Sequence, residues 1–248
     1  MLTFRKTVDF YIHSSIHVGV AVFCLVQLSV PQWTSYSFLV FFGTVVGYNF
    51  LKYSEWFLSN KSLRFNIIGI VSVSILAATS FLLLFLKQDA QIQLDLLVAL
   101  GLVVLYPFIR KLGWLKPFFV SIVVSYITVA VPLKASADVS WFFVQRFLLL
   151  SSLMIPFEIL DSMTDAVAMK TLPHLFGVAR TKQIGYVLVG LYCVASFHAL
   201  SIHYLCFIYA LSSGVAIYFS SPKRSWYYTS FWVESLPIVW WLISIVLK

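Results

Sequence analysis

The chain reads as an all-α, polytopic integral membrane protein, a helical bundle with about nine transmembrane spans in a single domain over 1–248. Three observations lead there. Hydrophobic residues make up 61% of the 248 positions and charged residues only 10%, far too little polar surface for a water-soluble domain of this size. The apolar residues gather into runs of roughly 17–24, enough for a helix to cross the hydrocarbon core of a bilayer. Basic residues at the ends of those runs fall overwhelmingly on one side, as they do when that side is cytoplasmic.

In order, the runs fall near 10–30, 35–58, 66–86, 92–109, 117–133, 139–158, 184–200, 203–220 and 227–247. The first follows Arg5 and Lys6 like a signal peptide, but Asp9, His13 and His17 interrupt its front and no small-x-small cleavage site follows. It is therefore expected to stay as a helix. The second ends in Gly47-Tyr48-Asn49-Phe50-Leu51-Lys52-Tyr53, and the fourth runs out into Arg110, Lys111 and Lys116. The sixth ends in an acidic cluster. Only Ser201 and His203 divide the seventh from the eighth, so eight spans is the alternative count. Trp33, Trp56, Trp114, Trp141, Trp226, Trp240 and Trp241 stand near run ends, where interfacial anchors belong.

Twelve bases fall on one side: Arg5, Lys6, Lys61, Arg64, Arg110, Lys111, Lys116, Lys170, Arg180, Lys182, Lys223 and Arg224. Three fall on the other: Lys87, Lys134 and Lys248. This bias predicts a cytoplasmic amino terminus and, with nine spans, an external carboxyl terminus. The net charge of +8 is not grouped into the basic runs that nucleic-acid binding would use. Cys24, Cys193 and Cys206 all lie in apolar stretches and read as core or lipid-facing thiols, not as a disulfide framework or zinc site.

The chemistry concentrates where the sixth run ends. Glu158, Asp161 and Asp165 are spaced i, i+3 and i+7, so on a helix they share a face. Such a charge cluster beside a membrane is costly without a cation, and magnesium carrying a phosphate group meets the need. Asn49, Lys52 and Tyr53, at i, i+3 and i+4, share a face at the same membrane depth. The loop after the fourth span adds Tyr106, Arg110, Lys111 and Lys116. Their apposition in space is the expectation.

At these residues the chain resembles the UbiA family of intramembrane prenyltransferases. Over 156–185, PFEILDSMTDAVAMKTLPHLFGVARTKQIG is similar to that family's second aspartate-rich segment, with Asp161, Asp165, Lys170-Thr171-Leu172-Pro173 and Gly177 in the same order. The family's first motif, asparagine followed by aspartates at the end of the second span, survives here as Asn49. Phe50, Tyr53 and Phe57 occupy its acidic positions, and Lys52 adds a positive charge. The resemblance implies an isoprenyl diphosphate donor, a lipophilic acceptor and Mg²⁺. It places Asp161, Asp165, Glu158 and Asn49 at the metal, with Asp161, Asp165 and Asn49 as the catalytic set. Lys52, Arg110, Lys111, Lys116 and Lys170 are then expected at the diphosphate. Phe41, Phe42, Tyr48, Tyr106, Phe118, Phe119 and Tyr126 are candidate aromatic walls for an allylic cation.

Three function classes follow: a divergent prenyltransferase, a non-catalytic isoprenoid- or lipid-binding relative, and a small transporter. The transporter is disfavoured because no inverted repeat is apparent and the charges gather at one interface instead of the midplane. His13 and His17, i and i+4 on the first run, are read as hydrogen-bonding partners within the bundle. Arg146 and Glu234 lie inside runs at different depths and are not expected to pair with each other.

Overall fold

The apolar runs fold as helices, as a chain in lipid must if it is to satisfy its backbone polar groups internally. The structure is a computed structural model that describes residues 2–59, 67–163, 169–198 and 203–247. Asp165, Lys61, Arg64, Ser201 and Lys248 lie outside them. The helices are α1 (Leu2–His13), α2 (Ile16–Ser29), α3 (Ser35–Ser59), α4 (Ile67–Phe85) and α5 (Ala90–Arg110), then α6 (Lys116–Ser125), α7 (Val139–Asp161), α8 (Leu172–His198), α9 (His203–Phe219) and α10 (Leu236–Val246). No strand occurs among the described residues.

Five of the described helical stretches are long and apolar enough to cross a membrane, or six if α1 and α2 form one bent span. The extreme case is α4: its apolar window is only 11% buried inside the protein, and Ile68, Ile75, Leu76, Leu82 and Leu83 are all exposed. Water would not tolerate that surface, and lipid does.

Three runs depart from straight α-helices. The first bends by 62° between α1 and α2, at Ser14 and Ser15, where Ser15 takes a left-handed φ of 62°. The last begins as a π-helical segment, Tyr228–Val233, before α10; a second π segment, Tyr126–Ala130, extends α6. π segments leave carbonyls without regular partners and are common near functional sites. The stretch before the seventh run is not a loop either: α8 starts at Leu172, with Pro173 in its first turn, where a missing N–H costs nothing. Gly177, at φ 76°, kinks it.

Neighbouring helices pack largely in chain order from α1 to α4 and from α5 to α10, and α10 returns to pack on α2. The segment 126–130 touches α2, α5 and α7 together. Arg146 of α7 is tied in there: Nη1 donates to the Leu25 carbonyl at 2.8 Å, and Nη2 to Ser29 Oγ at 3.1 Å. It does not pair with Glu234, as expected. His17 also behaves as expected: its Nε2 donates to the Phe231 carbonyl at 3.0 Å, and its ring stacks on Phe231.

Candidate functional site

The carboxylates at the end of α7 are turned toward α6. Lys116 Nζ stands 3.1 Å from Glu158 Oε1 and 3.2 Å from Asp161 Oδ2. Glu158 is buried, its side chain 2% exposed, whereas that of Asp161 is 41% exposed. The i, i+3 spacing therefore sets both acids on one face, and α6 supplies the counter-charge. Charge-assisted contacts of this kind are the strong ones.

Two close approaches hold the surrounding loops. Gly113, between α5 and α6, is buried with φ +58°, and a Cβ there would fall 1.6 Å from the Met169 carbonyl oxygen. Only glycine permits that contact, and it locks the Arg110–Lys116 loop against the stretch that carries Lys170. Beyond it, buried Thr171 and His174 are hydrogen-bonded at 3.0 Å, and His174 Nε2 donates to the Ser162 carbonyl at 3.1 Å. In the neutral ring Nδ1 then accepts from the Thr171 hydroxyl. His174, held by Thr171, thus ties the start of α8 to the end of α7.

Further polar side chains gather around these acids. Tyr48 of α3 is 40% exposed, yet lies within electrostatic reach of Glu234, Tyr106, Asp161 and Arg110, from four other stretches of chain. Tyr106 is in similar reach of Lys116, Arg110, Glu158 and Asp161. Lys52 and Tyr11 also lie within electrostatic reach of Glu234, without an ion pair between Lys52 and Glu234. Arg110 contributes a buried Nε with no hydrogen-bond partner among the described residues, an opening for an anion. Lys52 also lies over the Tyr53 ring, and exposed Lys111 lies over Phe108, at 5.5 and 5.9 Å from the centroids. Lys170 is exposed in a left-handed conformation, φ 48°.

Asn49 has a different setting. It is 4% exposed; its Oδ1 accepts from Ser15 Oγ at 2.6 Å, and its Nδ2 donates to the Ser14 carbonyl at 3.0 Å and Ser74 Oγ at 2.9 Å. Its amide pins the break between α1 and α2 to α3 and α4.

Among the described residues no three His, Cys, Asp or Glu side chains are grouped to hold a metal ion, and Asp165 lies outside those residues. A cation does fit the acids that are described, because Glu158 and Asp161 already share one, the Lys116 ammonium. Sequence reasoning expected Lys116 at a phosphate and left Glu234 without support. The signal for Glu234 was there in part, since it is the first acid after Asp165, but the base within its electrostatic reach, Lys52, lies on another helix. Gly113 and His174 were missed because a close approach between loops leaves no periodic trace. No family model, curated protein or solved structure matches the chain.

Proposed function

We propose that the chain is a UbiA-type membrane prenyltransferase of nine spans. It moves a prenyl group from an isoprenyl diphosphate to a lipophilic acceptor, with Mg²⁺ held by Glu158, Asp161 and Asp165. The observation that carries this reading is the gathering of the Glu158 and Asp161 carboxylates, the bases Lys116 and Arg110 and the tyrosines Tyr48 and Tyr106, from α3, α5, α6 and α7. The amino terminus and motif loops are then cytoplasmic and the carboxyl terminus external, in keeping with the twelve-to-three bias in basic residues.

In this reading Lys52, Arg110, Lys111 and Lys170 bind the diphosphate, and Lys116 moves between the carboxylates and the phosphate oxygens. When bound, magnesium neutralises charge that builds on the departing oxygen. The allylic carbon–oxygen bond breaks with its electron pair leaving on the diphosphate. Tyr48 and Tyr106 present aromatic faces to the cation. The acceptor forms the new bond to carbon and releases a proton, and the apolar bundle keeps water from competing.

A non-catalytic isoprenoid-binding protein of the same architecture is the second reading. It is favoured by Asn49, whose amide is fully engaged in structural hydrogen bonds, and by Phe50, Tyr53 and Phe57 at the acidic positions of the first motif. One experiment separates the two. The purified protein in nanodiscs is offered prenyl diphosphates of graded length, with and without Mg²⁺, and both thermal stabilisation and diphosphate release are recorded. Mg²⁺-dependent stabilisation and release, both lost in Asp161→Ala and Asp165→Ala, supports the transferase. Stabilisation without release across a panel of aromatic and lipid acceptors supports the second reading, and no stabilisation by any donor removes both.

A further inference from the structure

A second basic feature lies away from these acids, between α8 and α9. The two helices run antiparallel, joined by Lys182 Nζ donating to the Tyr218 carbonyl at 2.7 Å. Beside that bond opens a groove of about 810 Å³, lined by Lys182, Gln183, Tyr186, Tyr218, Lys223 and Arg224 among others. We propose that this groove holds the phosphodiester headgroup of an anionic membrane lipid, independently of the transferase reading.

The charge there is uncompensated. The sequence contains no Asp or Glu between Asp165 and Glu234. Among the described residues, none of the three bases has a carboxylate within ion-pair distance. Arg224 is held in place, with Nε donating to the Phe219 carbonyl at 3.1 Å and the guanidinium 5.6 Å from the Tyr228 ring centroid. That leaves its two terminal amino groups for an acceptor, and Lys182 likewise has two protons beyond the one given to Tyr218. A phosphodiester supplies oxygens for both, and charge-assisted bonds of this type are strong.

Position and shape select a lipid over a soluble anion. The groove sits where α9 ends at Phe219, at the depth of a headgroup if α8 and α9 cross the membrane, and basic pockets between helices at that level suit acidic headgroups. Next to it, sharing Gln183, lies a mostly apolar groove of about 400 Å³ lined by Phe176, Arg180, Ile184, Val187 and Leu188. An acyl chain can run along it from the headgroup.

The test uses the whole protein in nanodiscs of equal phosphatidylcholine and phosphatidylglycerol, with native mass spectrometry counting the lipids retained. The wild type is expected to keep one phosphatidylglycerol in preference to phosphatidylcholine. Lys223→Gln, an exposed residue whose loss should not disturb folding, should weaken that preference about fivefold, the effect of one basic charge near an acidic surface. Lys182→Gln/Lys223→Gln/Arg224→Gln should abolish it, while the distant control Lys6→Gln/Lys87→Gln keeps it. Equal retention of both lipids, the same preference in Lys223→Gln as in the control, or stabilisation by inorganic phosphate equal to that by phosphatidylglycerol would each overturn the proposal.

Discussion

Replacing Gly113 by alanine should loosen the candidate site without touching any of its charged groups. The new Cβ would lie 1.6 Å from the Met169 carbonyl oxygen and 2.7 Å from the Lys170 carbonyl. Backbone on one side must therefore retreat by roughly 2 Å to regain an ordinary contact of about 3.5 Å. The left-handed φ of +58° adds about 1–2 kcal/mol for a residue with a side chain. Lys116, three residues on, now sits 3.1 and 3.2 Å from its carboxylates; the retreat carries it past the ~4 Å limit of an ion pair, at a further cost of about 1 kcal/mol. The total, about 2–3 kcal/mol, corresponds to a fall of about 5–10 °C in thermal midpoint for a chain of this size. Tryptophan fluorescence during heating in nanodiscs reads it. Gly101→Ala is the control, because that helical glycine has open space around its Cβ position; it should leave the midpoint unchanged or raise it by up to about 1 kcal/mol of helix propensity. A Gly113→Ala midpoint within about 2 °C of wild type would refute the packing argument.

Three further outcomes are expected. Asn49→Leu removes the hydrogen bonds to Ser14, Ser15 and Ser74 and should cost about 2–4 kcal/mol by leaving buried groups unsatisfied; a loss below 1 kcal/mol in denaturant titration would show that the helix break does not depend on it. Lys116→Met takes a counter-charge from Glu158, which is only 2% exposed, and should destabilise by about 3–5 kcal/mol; millimolar Mg²⁺ should recover more stability in this variant than in wild type, and equal recovery would argue against a cation at the carboxylates. Arg146 donates to groups of α2 through two separate nitrogens, so thermal midpoints should rank wild type above Arg146→Lys above Arg146→Met, the last by about 2–3 kcal/mol for charged hydrogen bonds. Equal midpoints for lysine and methionine would mean the geometry of the guanidinium is unimportant.

What could be read from the sequence was what is local or cumulative. Composition alone identified lipid as the solvent, because a charged fraction of 10% cannot clothe a water-soluble surface. Helical periodicity set Glu158 and Asp161 on a common face, and the structure has one lysine bridging both. The same periodicity was silent on which helix face meets which. Lys116 on the acids and Arg146 against the Leu25 carbonyl are both pairings between distant parts of the chain. The bend at Ser14 and Ser15 was hidden for the same reason: two serines in an apolar run are tolerated in a straight helix, and the bend is held by Asn49, 34 residues away. The pattern of apolar residues thus determined that helices form, because each helix satisfies its own backbone in lipid, but not every end: α8 starts at Leu172, ahead of its apolar run. Only the tertiary structure decided which polar groups face one another, because between helices in lipid it is close packing and cross-helix hydrogen bonds that choose the partners.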